Sequence, residues 1–138
     1  MTLDFTVQLH NYVKNLDLGM LIKVGFLESE DSISMYALPG GETIREFFDG
    51  TKDKRLGYEF QIKTKGQGDG QEKAITVLDK IAKALENANI PSENESYDFG
   101  KIIVSSEPFM ANVTPPHFYF SLTIVAELTT YNERNDKE

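Results

Sequence analysis

Phe118-Tyr119-Phe120-Ser121-Leu122-Thr123-Ile124-Val125-Ala126-Glu127-Leu128-Thr129-Thr130 is the stretch on which the reading of the fold turns. Phe118, Phe120, Leu122, Ile124, Ala126 and Leu128 take every second position, with Tyr119, Ser121, Thr123, Glu127 and Thr129 between them. Successive side chains of a strand point to opposite faces, so this period of two specifies a long strand with one apolar face and one wet face. Such a strand needs long partners to pair its backbone. Leu56, Tyr58, Phe60 and Ile62, alternating with Gly57, Glu59, Gln61 and Lys63, supply the clearest one and read as the central strand.

Working outward, Met20, Ile22, Val24 and Phe26 alternate, and so do Ile33, Met35 and Ala37 after the polar stretch Glu28 to Asp31. The expected arrangement is two short strands in a hairpin. Tyr97 to Ser105, with Phe99, Ile102, Ile103 and Val104, reads as a buried strand, followed by a loop bracketed by Pro108 and Pro115-Pro116. Phe5, Leu9, Val13 and Leu16 recur at helical spacing behind Thr2 and Asp4, either of which suits an N-cap, so residues 3 to 15 read as a helix ended by Asp17 to Gly19. Ala74, Ile75, Leu78, Ile81, Ala82 and Leu85 give a second amphipathic helix, residues 71 to 88. The order α-β-β-β-β-α-β-β points to an α+β fold, a mostly antiparallel sheet with both helices on one face. Residues 1–130 form one domain in this reading, and the polar segment 131–138 is a disordered tail.

The chain of 138 residues and 15.6 kDa, 40% hydrophobic and 11% aromatic, carries enough apolar side chain for one core. Its formal charge of -8 repels phosphate, which argues against specific nucleic-acid binding. It has no cysteine, and therefore no disulfide, thiolate metal site or cysteine nucleophile. No apolar run approaches the ~20 residues of a membrane span. The opening residues, with Asp4 among them, lack the cationic and apolar regions of a secretory signal, so the expectation is a soluble protein made in the cytoplasm.

Residues that carry chemistry form no constellation. Gly66-Gln67-Gly68-Asp69-Gly70 lies between strand and helix, but it lacks the lysine and hydroxyl of a P-loop, and Asp69 opposes a phosphate. His10 and His117 stand too far apart in sequence for a motif pair. Asp49, Asp53, Asp69, Glu72, Glu93 and Glu95 fit no EF-hand register, and Ser32, Ser105 and Ser106 have no adjacent base in sequence. The sequons at Asn94 and Asn112 have no meaning as glycan sites without a secretory signal. The expectation is a non-enzymatic protein with no cofactor and no metal.

What remains is architectural. Thr43 to Phe48 lies between the turn signals Pro39-Gly40-Gly41 and Asp49-Gly50, and reads as a short strand or an irregular projecting segment. Two readings stand side by side: an ordinary exposed hairpin, or a subunit contact, since aromatic side chains on an exposed loop lower solubility unless a partner covers them. Under the second reading the candidate interface residues are Pro39, Gly40, Gly41, Phe47, Phe48, Asp49 and Gly50.

Taken together, Pro39-Gly40-Gly41, Phe48-Asp49-Gly50 and the run Tyr58-Glu59-Phe60-Gln61-Ile62-Lys63-Thr64-Lys65 resemble the small minor capsid protein family of siphophages and prophages of Gram-positive bacteria. The likeness continues through the helix bearing Ala74, Leu78, Ile81 and Leu85, then Ser96-Tyr97-Asp98-Phe99 and Ser106-Glu107-Pro108-Phe109, nearly to the acidic tail. The resemblance implies a virion structural protein of the tail-terminator, tail-completion or head-tail joining type. Such α+β subunits form a ring, commonly a hexamer, at the head-proximal end of the tail tube. The partners implied are copies of the chain, the tail tube protein and head connector proteins, with assembly in the bacterial cytoplasm. Two alternatives from other classes stay open: a small-ligand or nucleotide-binding module using Gly66 to Gly70, and a host-directed adaptor binding one bacterial protein through the aromatic loop.

Overall fold

A computed structural model describes residues 3–25, 32–65 and 69–131. The elements in chain order are α1 (Phe5–Lys14), β1 (Leu21–Val24), β2 (Ser32–Ala37), β3 (Glu42–Glu46), β4 (Lys52–Thr64), α2 (Asp69–Glu86), β5 (Tyr97–Thr114) and β6 (His117–Thr130). The fold is α+β in the expected order. The strands form one six-stranded sheet ordered β1-β2-β4-β6-β5, with β3 also paired to β4.

β4 and β6 pair antiparallel along the whole of β4, from Lys52 opposite Thr130 to Thr64 opposite Phe118. Their alternation places Tyr58, Phe60, Ile62, Phe120, Leu122, Ile124, Ala126 and Leu128 on one buried face. Ile33 and Met35 of β2 and Ile102 of β5 extend that face sideways. Phe5, Leu9 and Val13 of α1 and Ala74, Val77, Leu78, Ile81, Ala82 and Leu85 of α2 join the same cluster, so both helices cover one side of the sheet. The Tyr12 hydroxyl donates to the Ala84 carbonyl at 3.5 Å, linking the two helices. On the other side, Arg55, Glu59, Gln61, Lys63, Tyr119, Thr123 and Glu127 are only part-buried.

Four local expectations are corrected. β1 and β2 are not a hairpin: they pair parallel, Ile22 beside Ile33 and Val24 beside Met35. Parallel neighbours normally need a long crossover, but a four-residue β1 leaves only about 13 Å of chain to retrace. The Gly25 N–H donates to the Met35 carbonyl at 2.9 Å and continues the pairing. Nor does a loop follow Ser105, since β5 runs unbroken to Thr114. Pro108 is tolerated because β5 is an edge strand, where a missing N–H on the outer side removes no ladder bond.

Third, β5 is buried only in part: Ile102 is in the core, Phe99 and Val104 are half-buried, and Ile103 is exposed. Fourth, Asp4 occupies the N-cap position of α1 without a side-chain cap bond. Its carboxylate accepts instead from the Ser92 and Ser96 hydroxyls at 2.7 and 3.0 Å and from the Glu93 and Asn94 N–H groups at 2.9 and 3.2 Å. The expected turn at 28–31, the Thr2 cap, the first three residues of the Gly66–Gly70 connection and the tail 132–138 lie outside the described residues.

Candidate assembly surface

The candidate residues fall at the two ends of β3. β2 and β3 both pair antiparallel with β4, Ala37 opposite Tyr58 and Glu42 opposite Arg55, so they act as one strand interrupted by 38–41. Four residues face Leu56 and Gly57 across that gap, a local excess that bends the strand. Pro39-Gly40-Gly41 form the bend: Gly40 has φ +89, which favours glycine, and a Cβ on Gly41 would meet the Leu56 side chain at 3.0 Å.

At the other end, Phe47 to Thr51 close a tight hairpin between β3 and β4. The Gly50 N–H donates to the Phe47 carbonyl at 3.0 Å, and the Phe47 N–H to the Thr51 carbonyl at 2.8 Å. Gly50 at φ +88 takes the left-handed position that such short hairpin loops require. The Thr51 N–H donates to Asp49 Oδ1 at 3.0 Å, and this bond above all holds the Asp49 carboxyl below its ordinary value of 3.8. The turn is therefore tied to its own backbone.

Its aromatics point outward. Phe48 is fully exposed, and Phe47 and Ile44 are also exposed, although every residue of β3 is in a paired strand. The Arg45 guanidinium lies 5.9 Å from the centre of the Phe47 ring, a cation–π distance that keeps a positive charge beside the aromatic pair. At the root of the arm, Arg55 bridges Glu42 at 3.0 Å and Glu127 at 3.1 Å, joining β3, β4 and β6 on the uncovered face. Exposed pairs of this kind contribute modestly to stability, but here they fix the arm's direction.

The sequence reading missed a second exposed apolar patch. On edge strand β5, level with the last residues of β4, Phe109, Met110 and Val113 are exposed near the turn at Pro115-Pro116, whose peptide bond is cis. The missing signal is understandable, because three prolines, Pro108, Pro115 and Pro116, and mixed polarity resemble a loop.

The residues weighed for chemistry are scattered. His10 Nε2 hydrogen-bonds the Ile22 carbonyl at 3.2 Å and belongs to the packing of α1 on β1, while His117 opens β6 opposite Thr114. Among the described residues no group of three or more His, Cys, Asp or Glu side chains is placed to hold a metal ion. Asp69 and Gly70 form the first turn of α2, and a Cβ on Gly70 would meet Thr64 Oγ1 at 2.7 Å. No helix among the described residues is long and apolar enough to cross a membrane. No family model matches the chain, and no curated protein matches it.

Proposed function

We propose that this chain is a structural subunit of a tailed-phage virion, of the tail-terminator or head-tail joining kind, which forms a ring at the head-proximal end of the tail tube. The observation that carries the reading is Phe48: a full aromatic ring held in solvent at the tip of a hydrogen-bonded hairpin. Exposed aromatics on a rigid projection characterise a contact surface, since the loop loses little conformational entropy on binding. The motif series from Pro39-Gly40-Gly41 to Phe109 supports the phage assignment through its likeness to siphophage minor capsid proteins. Copies of the chain, a tail tube protein and a connector protein are the partners in this reading, with assembly in the bacterial cytoplasm.

The test replaces Phe47 and Phe48 with Ser and follows size by chromatography with light scattering, alone and with purified tail tubes. The variant keeps its circular-dichroism spectrum and unfolding midpoint, because both side chains are exposed, while self-association and tube binding weaken. An unchanged oligomer would remove the arm from the interface. A strict monomer at high concentration that also ignores tail tubes would end the ring reading, and capture of a host protein by that monomer would favour an adaptor.

A further inference from the structure

An arm needs a socket, and the sheet brings a matching recess to the opposite edge. At the end where β4 begins, the strands run β3-β4-β6-β5: Lys52 pairs with Glu46 on one side and Thr130 on the other, and Thr130 pairs with Tyr97. The arm and the start of β5 therefore sit at the same height along the strands, three strand spacings or about 14 Å apart. Beside the start of β5 lies an open recess of about 510 Å³ whose lining includes Pro91, Glu95, Tyr97, Asp98, Phe99 and Tyr131.

The recess is built on the core. Tyr97 and Phe99 pack on Phe5 at ring-centre distances of 5.4 and 6.4 Å, and the Tyr97 hydroxyl donates to the Ile90 carbonyl at 2.7 Å. The Tyr131 hydroxyl donates to Asp98 and holds that carboxylate at the rim. The lining thus offers aromatic rings and proline with two carboxylates, Glu95 and Asp98, and no basic side chain. Its complement is an aromatic group accompanied by a cation. The chain carries an aromatic pair with a cation on its other edge, Phe48 and Phe47 with Arg45 over the Phe47 ring, and the carboxylates of Glu46 and Asp49 flank the pair, so Arg45 is the group that can meet the recess.

We infer that this recess receives the Phe48 tip of a second copy of the chain, with Arg45 of the incoming arm facing Glu95 and Asp98. The inference rests on the ring reading and names the other half of its interface. A subunit's own arm cannot fill its own recess, because two paired strands of a rigid sheet stand between them. Arm and recess are different surfaces, so the contact is head-to-tail, the kind that closes into a ring when the rotation between neighbours divides a full turn.

Disulfide trapping tests the pairing in the full chain, which has no cysteine of its own. Phe48→Cys with Glu95→Cys, oxidised at a concentration where the chain is oligomeric, yields a ladder of cross-linked species. Phe48→Cys with Lys73→Cys, an exposed site on α2, does not. A disulfide needs its two Cα atoms within about 7 Å, so a bond within one chain is excluded by the same sheet. Arg45→Glu weakens self-association about tenfold, and Glu95→Arg in the same chain restores part of it. Oligomers that form normally without the 48–95 cross-link overturn the recess assignment and leave the ring reading standing. Dimers trapped by Phe48→Cys alone, as efficiently as by the pair, place arm against arm and overturn it too. A chain that stays monomeric and uncross-linked overturns both.

Discussion

A single carboxylate fastens α1 to the loop that leads into β5. Asp4 gathers the Ser92 and Ser96 hydroxyls and the Glu93 and Asn94 N–H groups, and its own N–H donates to Ser96 Oγ at 3.2 Å. Burial works against the ionised form, but the Ser92 bond first, then those from Glu93, Ser96 and Asn94, outweigh it and hold the pKa below its ordinary 3.8. A folded-state pKa depressed in this way stabilises the fold above the unfolded value, and the contribution is lost as pH falls through the folded value. Asp4→Asn should therefore lower stability by about 1 kcal/mol at neutral pH, solvent screening keeping the figure small. In urea titrations the gap to the parent chain should narrow as the pH falls below the ordinary carboxyl value of 3.8; a gap that stays constant would show that the charge is not what the loop recognises. Asp4 was legible as a residue that starts a helix, but the serines that take its oxygens lie some ninety positions away, and no local pattern announces them.

β5 shows the same division between local and distant information at the scale of an element. Its pairing with β6 slips at four places, between Phe99 and Lys101, Val104 and Ser106, Ser106 and Phe109, and Met110 and Asn112. Bulges and Pro108 roughen an otherwise inviting edge and discourage indiscriminate strand addition. They also erase the clean alternation that made β6 and β4 readable, which is why the second half of β5 resembled a loop. The first slip depends on Gly100, where a Cβ would lie 2.6 Å from the Glu127 carbonyl oxygen. Gly100→Ala should cost about 1–3 kcal/mol through displacement of β6 backbone, read as a drop of several degrees in Tm. A neutral outcome would mean that the bulge migrates. The parallel pairing of β1 with β2 was likewise beyond local reading, since Ile22 and Ile33 have the same pattern in a hairpin as in a parallel pair.

For the whole molecule, the α+β class and the one-sided helix layer followed from two periodicities, the period of two in β4 and β6 and the helical spacing in α1 and α2. The arm was visible through the glycines that bracket it. The recess was not, because pairing of β5 with β6 is what brings Tyr97 and Phe99 to Tyr131. The net charge of -8 acts at this scale as well: fluorescence anisotropy should detect no retention of duplex DNA at about 0.15 M salt. Tight binding there would require a concentrated basic surface and would redirect the functional reading. One feature of the sheet bears on strength rather than recognition. β4 begins at the arm's hairpin and stays in register with β6 from Lys52 to Thr64, hydrogen-bonded at alternate pairs along that length. Its hydrogen bonds lie across the strand axis, so a pull on Phe48 along that axis loads the ladder in shear, all rungs at once, instead of peeling them singly. A tail joint built from such subunits would transmit tension from neighbour to neighbour through its stiffest strand.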